Sequence, residues 1–204
     1  MQSVSESILL HLHQDKILSP IIDKCTLTIH KAPLQLFDDL LRSIVSQQLS
    51  TKAAATIYDR FLALFENKMP TPDQIKKQSD AQLRAVGLSG QKSAYIRNVV
   101  DHFDANNLYN RNWDNYSDGE IIDELTKIKG VGKWTVEMIL MFSLHRPDVL
   151  PLDDLIIRNS MISFYNITSE KKQQVLDLTQ IAEKWRPYRS YACRYLWASK
   201  DLKF

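Results

Sequence analysis

Two adjacent carboxylates, Asp153 and Asp154, follow the apolar run Val149-Leu150-Pro151-Leu152 and open Leu155-Ile156-Ile157-Arg158-Asn159-Ser160-Met161-Ile162, whose spacing predicts an amphipathic helix. One aspartate is expected there simply as an N-cap, accepting hydrogen bonds from the first N–H groups of the helix. A second can point into a cleft, where a carboxylate stabilises developing positive charge or moves a proton. Taken by chemistry alone, the pair leaves both uses open.

Upstream, Gly130-Val131-Gly132 separates two segments of helical pattern, Ile121-Ile122-Asp123-Glu124-Leu125 and Trp134-Thr135-Val136-Glu137-Met138-Ile139. Glycine permits a tight turn and lets backbone approach a ligand closely. The second helix then begins with unsatisfied N–H groups and the positive end of its dipole, which suits a phosphate oxygen. Lys129 and Lys133 bracket that point with positive charge. An isolated Gly-x-Gly is more often a plain connector with glycine caps; the flanking lysines and the following aspartates tip the reading toward phosphate. Backbone contacts to phosphate carry no sequence information, so a nucleic acid would be held without regard to its sequence. That suits a scanning enzyme better than a transcription factor.

The elements that must position these groups are helical. Apolar residues recur at helical spacing, as in Leu36, Phe37, Leu40, Leu41, Ile44 and Val45, then Ile57, Phe61 and Leu64. Cys25-Thr26-Leu27-Thr28-Ile29-His30 leans toward β but is short and stops before Pro33, so it reads as an extended connector. Pro20, Pro33, Pro70 with Pro72, Gly87 with Gly90, Gly119, Gly130 with Gly132 and Pro147 with Pro151 punctuate the chain. They divide it into roughly ten short helices of an all-α protein, arranged around two neighbouring cores. No fixed-period repeat or low-complexity tract is present, which disfavours a solenoid.

With 204 residues, 44% of them hydrophobic, the chain can bury a real core as one domain or one domain in two lobes. A formal net charge of +2 and a pI near 8.4 leave nucleic-acid affinity to local clustering of Lys and Arg. The run Ile8-Leu9-Leu10 follows Glu6 and is broken by His11 and His13, so it reads as neither a signal peptide nor a membrane span. An intracellular protein with no membrane partner is expected. Cys25 and Cys193 are too few for a four-cysteine zinc site and read as ordinary thiols.

With these residues in view, the chain resembles the helix-hairpin-helix, Gly/Pro-Asp superfamily of DNA glycosylases, and within it the short, helix-only members of the 3-methyladenine DNA glycosylase II group. The resemblance runs from about residue 5 to the C-terminus. It rests on Ser46-Gln47-Gln48-Leu49-Ser50-Thr51-Lys52-Ala53-Ala54, Gly87-Leu88-Ser89-Gly90-Gln91-Lys92, the hairpin with Trp134, Leu152-Asp153-Asp154-Leu155, and Trp185-Arg186-Pro187-Tyr188-Arg189-Ser190-Tyr191-Ala192, in the family's order. It implies one glycosylase domain over 1–204, with a hairpin at 121–140. One lobe would span about 35–145 and the other about 1–34 plus 146–204. A damaged base would be flipped from double-stranded DNA into a cleft between the lobes. The larger members carry an N-terminal β-rich domain, for which this chain has no room.

By motif register the family's catalytic aspartate falls on Asp154, leaving Asp153 as the cap or a supporting residue. Asp154 would stabilise the oxocarbenium-like sugar and orient or deprotonate the attacking water. Lyase members carry a lysine where this chain has Trp134, and one helical step turns Lys133 about 100° away, so a monofunctional enzyme is expected. Trp134, Trp197 and Met138 match the base pocket, although a lone Trp is more often core. Indole faces suit a cationic N-alkylated purine. Such a base departs neutral and needs no dedicated general acid, which fits the reading of His11, His13, His30, His102 and His145 as surface or structural residues. 3-Methyladenine and 7-methylguanine head the expected substrates, with hypoxanthine, ethenoadenine and 1-methyladenine behind them.

DNA contacts are expected at Lys129, Gly130, Val131, Gly132, Lys133 and Thr135. Gln48, Leu49 and Ser50 lie where relatives insert a wedge into the vacated stack, although Leu49 fits a core role equally well. Some relatives bind a monovalent cation on hairpin carbonyls, which by register are those of Thr126, Ile128 and Gly130; no cofactor is otherwise required. The basic, aromatic stretch from Lys184 to Arg194 suits a mixed role in DNA contact and packing. A monomer is expected. The competing readings are a non-catalytic module that binds damaged DNA and a bifunctional lyase for other damaged bases.

Overall fold

Serine, threonine and proline set the helix starts. Ser79 and Ser117 each accept a bond from the N–H three residues on, while the Gln82 or Glu120 side chain accepts one from the cap's own N–H. Thr71 and Gln74 make the same box, with Pro72 at the first helical position. In the computed structural model, which describes residues 2–29 and 36–201, these signals and the apolar periodicity produce twelve α-helices. They are α1 (Glu6–Leu12), α2 (Ser19–Lys24), α3 (Leu36–Ser46), α4 (Thr51–Ala63), α5 (Pro72–Lys77), α6 (Asp80–Ala85), α7 (Gly90–Ala105), α8 (Asp118–Leu125), α9 (Lys133–Phe142), α10 (Leu155–Phe164), α11 (Lys171–Glu183) and α12 (Arg189–Ala198). The extended connector carries Thr28–Ile29, which pairs antiparallel with Gln2–Ser3. His30 and Pro33 lie outside the described residues.

The chain divides into two units, Leu34–Ile139 and Met1–Pro33 with Leu140–Phe204. In the first, α3 packs on α4 and α7, and α7 also carries α5 and α6. Leu40, Leu41, Ile44 and Val45 of α3 and Ile96, Val99 and Val100 of α7 are fully buried at helical spacing. Each such side chain contributes about 1.5–3 kcal/mol on leaving water. In the second unit α12 packs on α10 and α2, and α10 also meets α11. Trp185 is fully buried there, and its Nε1 donates to Asp15 Oδ2 at 2.9 Å while the Tyr165 hydroxyl donates to the same oxygen at 2.7 Å. Burial works against ionisation of Asp15, but the bonds from Tyr165, Trp185 and the Ile17 and Leu18 N–H groups outweigh it and hold its pKa below the usual carboxylate value.

Candidate active site and nucleic-acid interface

The hairpin belongs to the first unit. Ser117 caps α8, Val131 N donates to the Ile128 carbonyl at 2.9 Å to close the turn, and Val136 N donates to the Gly132 carbonyl at 3.2 Å to open α9. The two glycines differ. Gly130 has φ +107°, and a Cβ placed there would lie 2.2 Å from Tyr95 Cγ, so conformation and space both demand glycine. At Gly132 a Cβ would meet nothing within 4 Å. This glycine leaves its backbone open to an approaching group.

Side chains distant in sequence hold the turn. Gln47 Nε2 donates to the Gly130 carbonyl and Asn98 Nδ2 to the Lys129 carbonyl, each at 3.0 Å. Gln91 Nε2 donates to the Tyr95 hydroxyl at 2.5 Å, fixing the ring that lies against Gly130. Lys92 Nζ donates to the Val45 carbonyl at 2.7 Å, and partial burial lowers its pKa. The Ser-Gln-Gln and Gly-Leu-Ser-Gly-Gln-Lys motifs thus brace the hairpin from within its own unit. Sequence reading did not single out Gln47, Tyr95 or Asn98 for this task. Tyr95 and Asn98 share a face of α7 at i, i+3, but nothing local reveals what that face meets.

Lys129 and Lys133 are exposed, and Lys133 Nζ lies 3.4 Å from Glu137 Oε1. The side chains of Val131 and Thr135 are buried, so any ligand contact at these two positions runs through backbone N–H groups. Trp134 is 40% exposed, which sets aside the core alternative for this residue, and Met138 is half-buried. Between α3 and α4, Gln48 adopts φ +57° and Leu49 is 37% exposed, so Leu49 is not a core residue. Ser50 is the N-cap of α4, its hydroxyl accepting from Ala53 N at 3.3 Å.

The aspartates belong to the second unit, and here the expected division of labour is corrected. Asp153 is exposed, while Asp154 is 5% exposed and is itself the N-cap of α10. Its Oδ1 accepts from Ile156 N and Ile157 N at 3.0 Å each and from Trp197 Nε1 at 2.9 Å. The reason is local geometry: the β-region backbone at Asp154 (φ −73°, ψ 118°) folds its carboxylate back over the first helical N–H groups. Trp197 is half-buried and lies on Phe142, ring centroids 5.6 Å apart with a 30° interplanar angle. Arg194 sits over the same Phe142 ring at 4.6 Å, and burial lowers its pKa. Nothing in the local pattern distinguished Phe142 from its apolar neighbours.

In the stretch from Lys184 to Arg194, Trp185, Ser190 and Cys193 are buried while Lys184, Arg186 and Pro187 are exposed. His11 Nε2 bonds the Lys184 carbonyl, His13 Nδ1 the Ser19 hydroxyl and His102 Nε2 Glu124. Among the described residues no His/Cys/Asp/Glu group could hold a metal ion, and no helix is long and apolar enough to cross a membrane. For a monovalent cation, the hairpin offers neutral carbonyl oxygens. That of Ile128 accepts from Val131 N and that of Gly130 from Gln47 Nε2, a carbonyl oxygen having two lone pairs, and Thr126 caps α8 beside them.

Comparison with known proteins places this geometry. A DNA-3-methyladenine glycosylase of Schizosaccharomyces pombe is 36% identical over 169 residues, covering 81% of this chain and 73% of that protein. A DNA-3-methyladenine glycosidase structure from Bacillus halodurans superposes with a TM-score of 0.83 at 33% identity, covering 98% of this chain and 93% of that one. The S. pombe 3-methyladenine DNA glycosylase in complex with abasic DNA superposes at 0.80 with 31% identity, covering 96% and 97%. Residues 41–187, which contain the braced hairpin, the cap residue Asp154 and the Trp-Arg-Pro segment, match the family model of HhH-GPD superfamily base excision DNA repair proteins, and the chain belongs to that superfamily.

Proposed function

We propose that the protein is a monofunctional DNA glycosylase that removes N-alkylated purines, 3-methyladenine and 7-methylguanine first among them, from double-stranded DNA as the opening step of base excision repair. The observation that carries this reading is Asp154, a nearly buried carboxylate aimed by two helix N–H groups and the Trp197 indole N–H. A carboxylate so fixed stabilises positive charge that develops on a neighbouring sugar without reorganising at the moment of reaction. The N-glycosidic electron pair leaves with the base, which departs neutral when it was cationic. Water, oriented or deprotonated by Asp154, adds to the sugar carbon and leaves an abasic site.

Monofunctional chemistry is supported by Trp134 at the position of the lyase lysine and by Lys133, whose ammonium lies against Glu137. Trp134 and Trp197 each present an indole suited to a cationic base, with Met138 a softer neighbour to Trp134. Gly132 and the N–H groups that open α9, with Lys129 and Lys133, would bind a backbone phosphate, and Gln48, Leu49 and Ser50 form an exposed segment suited to a wedge. A sodium or potassium ion on the carbonyls of Thr126, Ile128 and Gly130 would add positive charge beside that phosphate. The bound relative from S. pombe, seen with abasic DNA, supports the choice of partner.

The test is a panel of duplexes bearing defined modified bases, with base release and strand cleavage scored separately. Release of methylated purines without cleavage is expected. Binding without release would favour the damage-binding module, and cleavage with trapping by borohydride would favour a lyase.

A further inference from the structure

The loop that carries Asp154 is held at both ends by one helix. At its near end, Ser190 N donates to the Pro147 carbonyl at 2.9 Å, and Ser190 Oγ donates to the Arg146 carbonyl at 2.6 Å and accepts from Val149 N at 2.9 Å. Asp148 takes Arg189 Nε at 2.6 Å on Oδ1, and Arg189 Nη2 at 3.0 Å with Arg186 Nη1 at 2.7 Å on Oδ2. Arg189 Nη2 also donates to the Asp148 carbonyl at 2.8 Å. Consecutive loop residues from Arg146 to Val149 are therefore bonded to the start of α12. Two short turns follow, Leu152 N to the Leu150 carbonyl and Asp154 N to the Pro151 carbonyl, and the far end meets the same helix again where Trp197 holds Asp154 Oδ1.

Ser190, Cys193 and Trp197 recur at the spacing of one helical face, and Cys193 adds a weak contact to the Val149 carbonyl at 4.0 Å. This face works as a ruler for the loop. Because Ser190 is 2% exposed, water cannot readily replace its hydroxyl. We infer that Ser190 and the Asp148–Arg189 pair are positioning residues for Asp154: they set the path of the loop, and through it where the carboxylate meets the sugar, without touching DNA themselves. The inference rests on the proposed role of Asp154.

Loss of the Ser190 hydroxyl would let the loop shift on α12 while α10 and its cap remain. A displacement near 1 Å at a reacting group costs up to about 100-fold in rate. The experiment compares Ser190→Ala with wild type in single-turnover base release from 7-methylguanine duplexes, alongside affinity for a duplex bearing a tetrahydrofuran abasic analogue. Release is expected to slow about 10- to 100-fold with affinity within about twofold, and Ser190→Thr, which keeps the hydroxyl, recovers most of the rate. Repeating Ser190→Ala in an Asp154→Asn background separates positioning from general damage. A residue that acts through the Asp154 charge adds little there, whereas a merely structural one slows both backgrounds equally.

An unchanged rate in Ser190→Ala, or an equal loss in both backgrounds, overturns the inference. If Asp154→Asn alone leaves release at the wild-type rate, it is the reading of Asp154 that fails, and the two failures are thus distinguishable. Should Ser190→Ala not fold, Asp148→Asn, which keeps the shape of a partly exposed side chain, carries the same comparison with the same expected loss.

Discussion

Asp154 caps α10, and on the proposed function it also acts on the sugar; the two roles separate by substitution. As N-cap it uses Oδ1 to accept from Ile156 N, Ile157 N and Trp197 Nε1, and an asparagine oxygen can accept all three bonds. Asp154→Asn therefore removes the charge and keeps the cap. The lost interaction with the helix dipole costs about 0.3–1 kcal/mol, and at about 2–4 °C per kcal/mol for a chain of this size Tm falls by no more than about 4 °C. Asp154→Ala removes the cap as well, at about 1 kcal/mol, and strips the Trp197 N–H of its acceptor, for about 1 kcal/mol more because the half-buried indole recovers some water. Tm should then fall by about 4–12 °C in total. Base release behaves differently. If the Asp154 charge steadies the sugar as proposed, both variants should slow by about 10²–10⁴-fold. Calorimetry beside single-turnover release on a 7-methylguanine duplex reads the two tasks independently. Release by Asp154→Asn within threefold of wild type would refute the electrostatic role, and equal stability of the Asn and Ala variants would refute the cap.

Three further outcomes follow from the same geometry. Gly130→Ala should lower Tm by more than about 5 °C, because it forces a methyl into the Tyr95 ring at φ +107°, whereas Gly132→Ala should melt with wild type and bind duplex DNA about tenfold more weakly; calorimetry and fluorescence anisotropy check the pair. Burial, aided by the neighbouring Asp39, raises the pKa of Asp38 to about 6, so between its ordinary value of 3.8 and 6 the folded state holds the proton more tightly than the unfolded one. Its contribution is complete at pH 3.8 and below and is lost as pH rises through 6, so Asp38→Asn should raise Tm at pH 7.5, by up to about 6–12 °C, and leave it unchanged at pH 3.5. Replacing sodium and potassium by tetramethylammonium at constant ionic strength should weaken DNA binding severalfold if the hairpin carbonyls hold a cation, and equal affinity in all three salts would remove that ion from the account.

Much of this architecture is legible in local chemistry. The Ser-x-x-Gln and Ser-x-x-Glu boxes at Ser79 and Ser117 announce helix starts without reference to anything distant, and the spacing of Leu40, Leu41, Ile44 and Val45 marks a buried helical face. The division of labour between Asp153 and Asp154 was not legible, since either carboxylate can cap and the choice depends on which one has its backbone in the β region before α10. The two glycines of the hairpin look alike in sequence for a similar reason. What separates them is the Tyr95 ring, brought from α7, and no local pattern reports a collision with a residue from another helix. The Asp148–Arg189 pair spans 41 residues and Gln47 reaches Gly130 across 83; such partners are set by packing rather than by spacing.

The arrangement of the hairpin's polar groups suits the anion proposed for it. The carbonyls of Lys129 and Gly130 receive side-chain amide donors from Asn98 and Gln47, and the Ile128 carbonyl receives Val131 N. Acceptors in the turn are thereby engaged by the protein's own donors, while the N–H groups that open α9 have no intrahelical partner by the geometry of any helix start. Donors at a helix N-terminus present positive potential even before Lys129 and Lys133 are counted. Gly132, with open space where a side chain would be, admits an oxygen close to that backbone. If the hairpin grips a phosphate as proposed, Gln47 and Asn98 should tune its affinity without touching DNA, because removing either amide leaves its carbonyl without that donor and weakens attraction for the phosphate. Gln47→Ala and Asn98→Ala should therefore lower affinity for undamaged and methylated duplexes in equal proportion, because a phosphate grip reads no base. A loss confined to methylated DNA would mean that the hairpin takes part in lesion recognition.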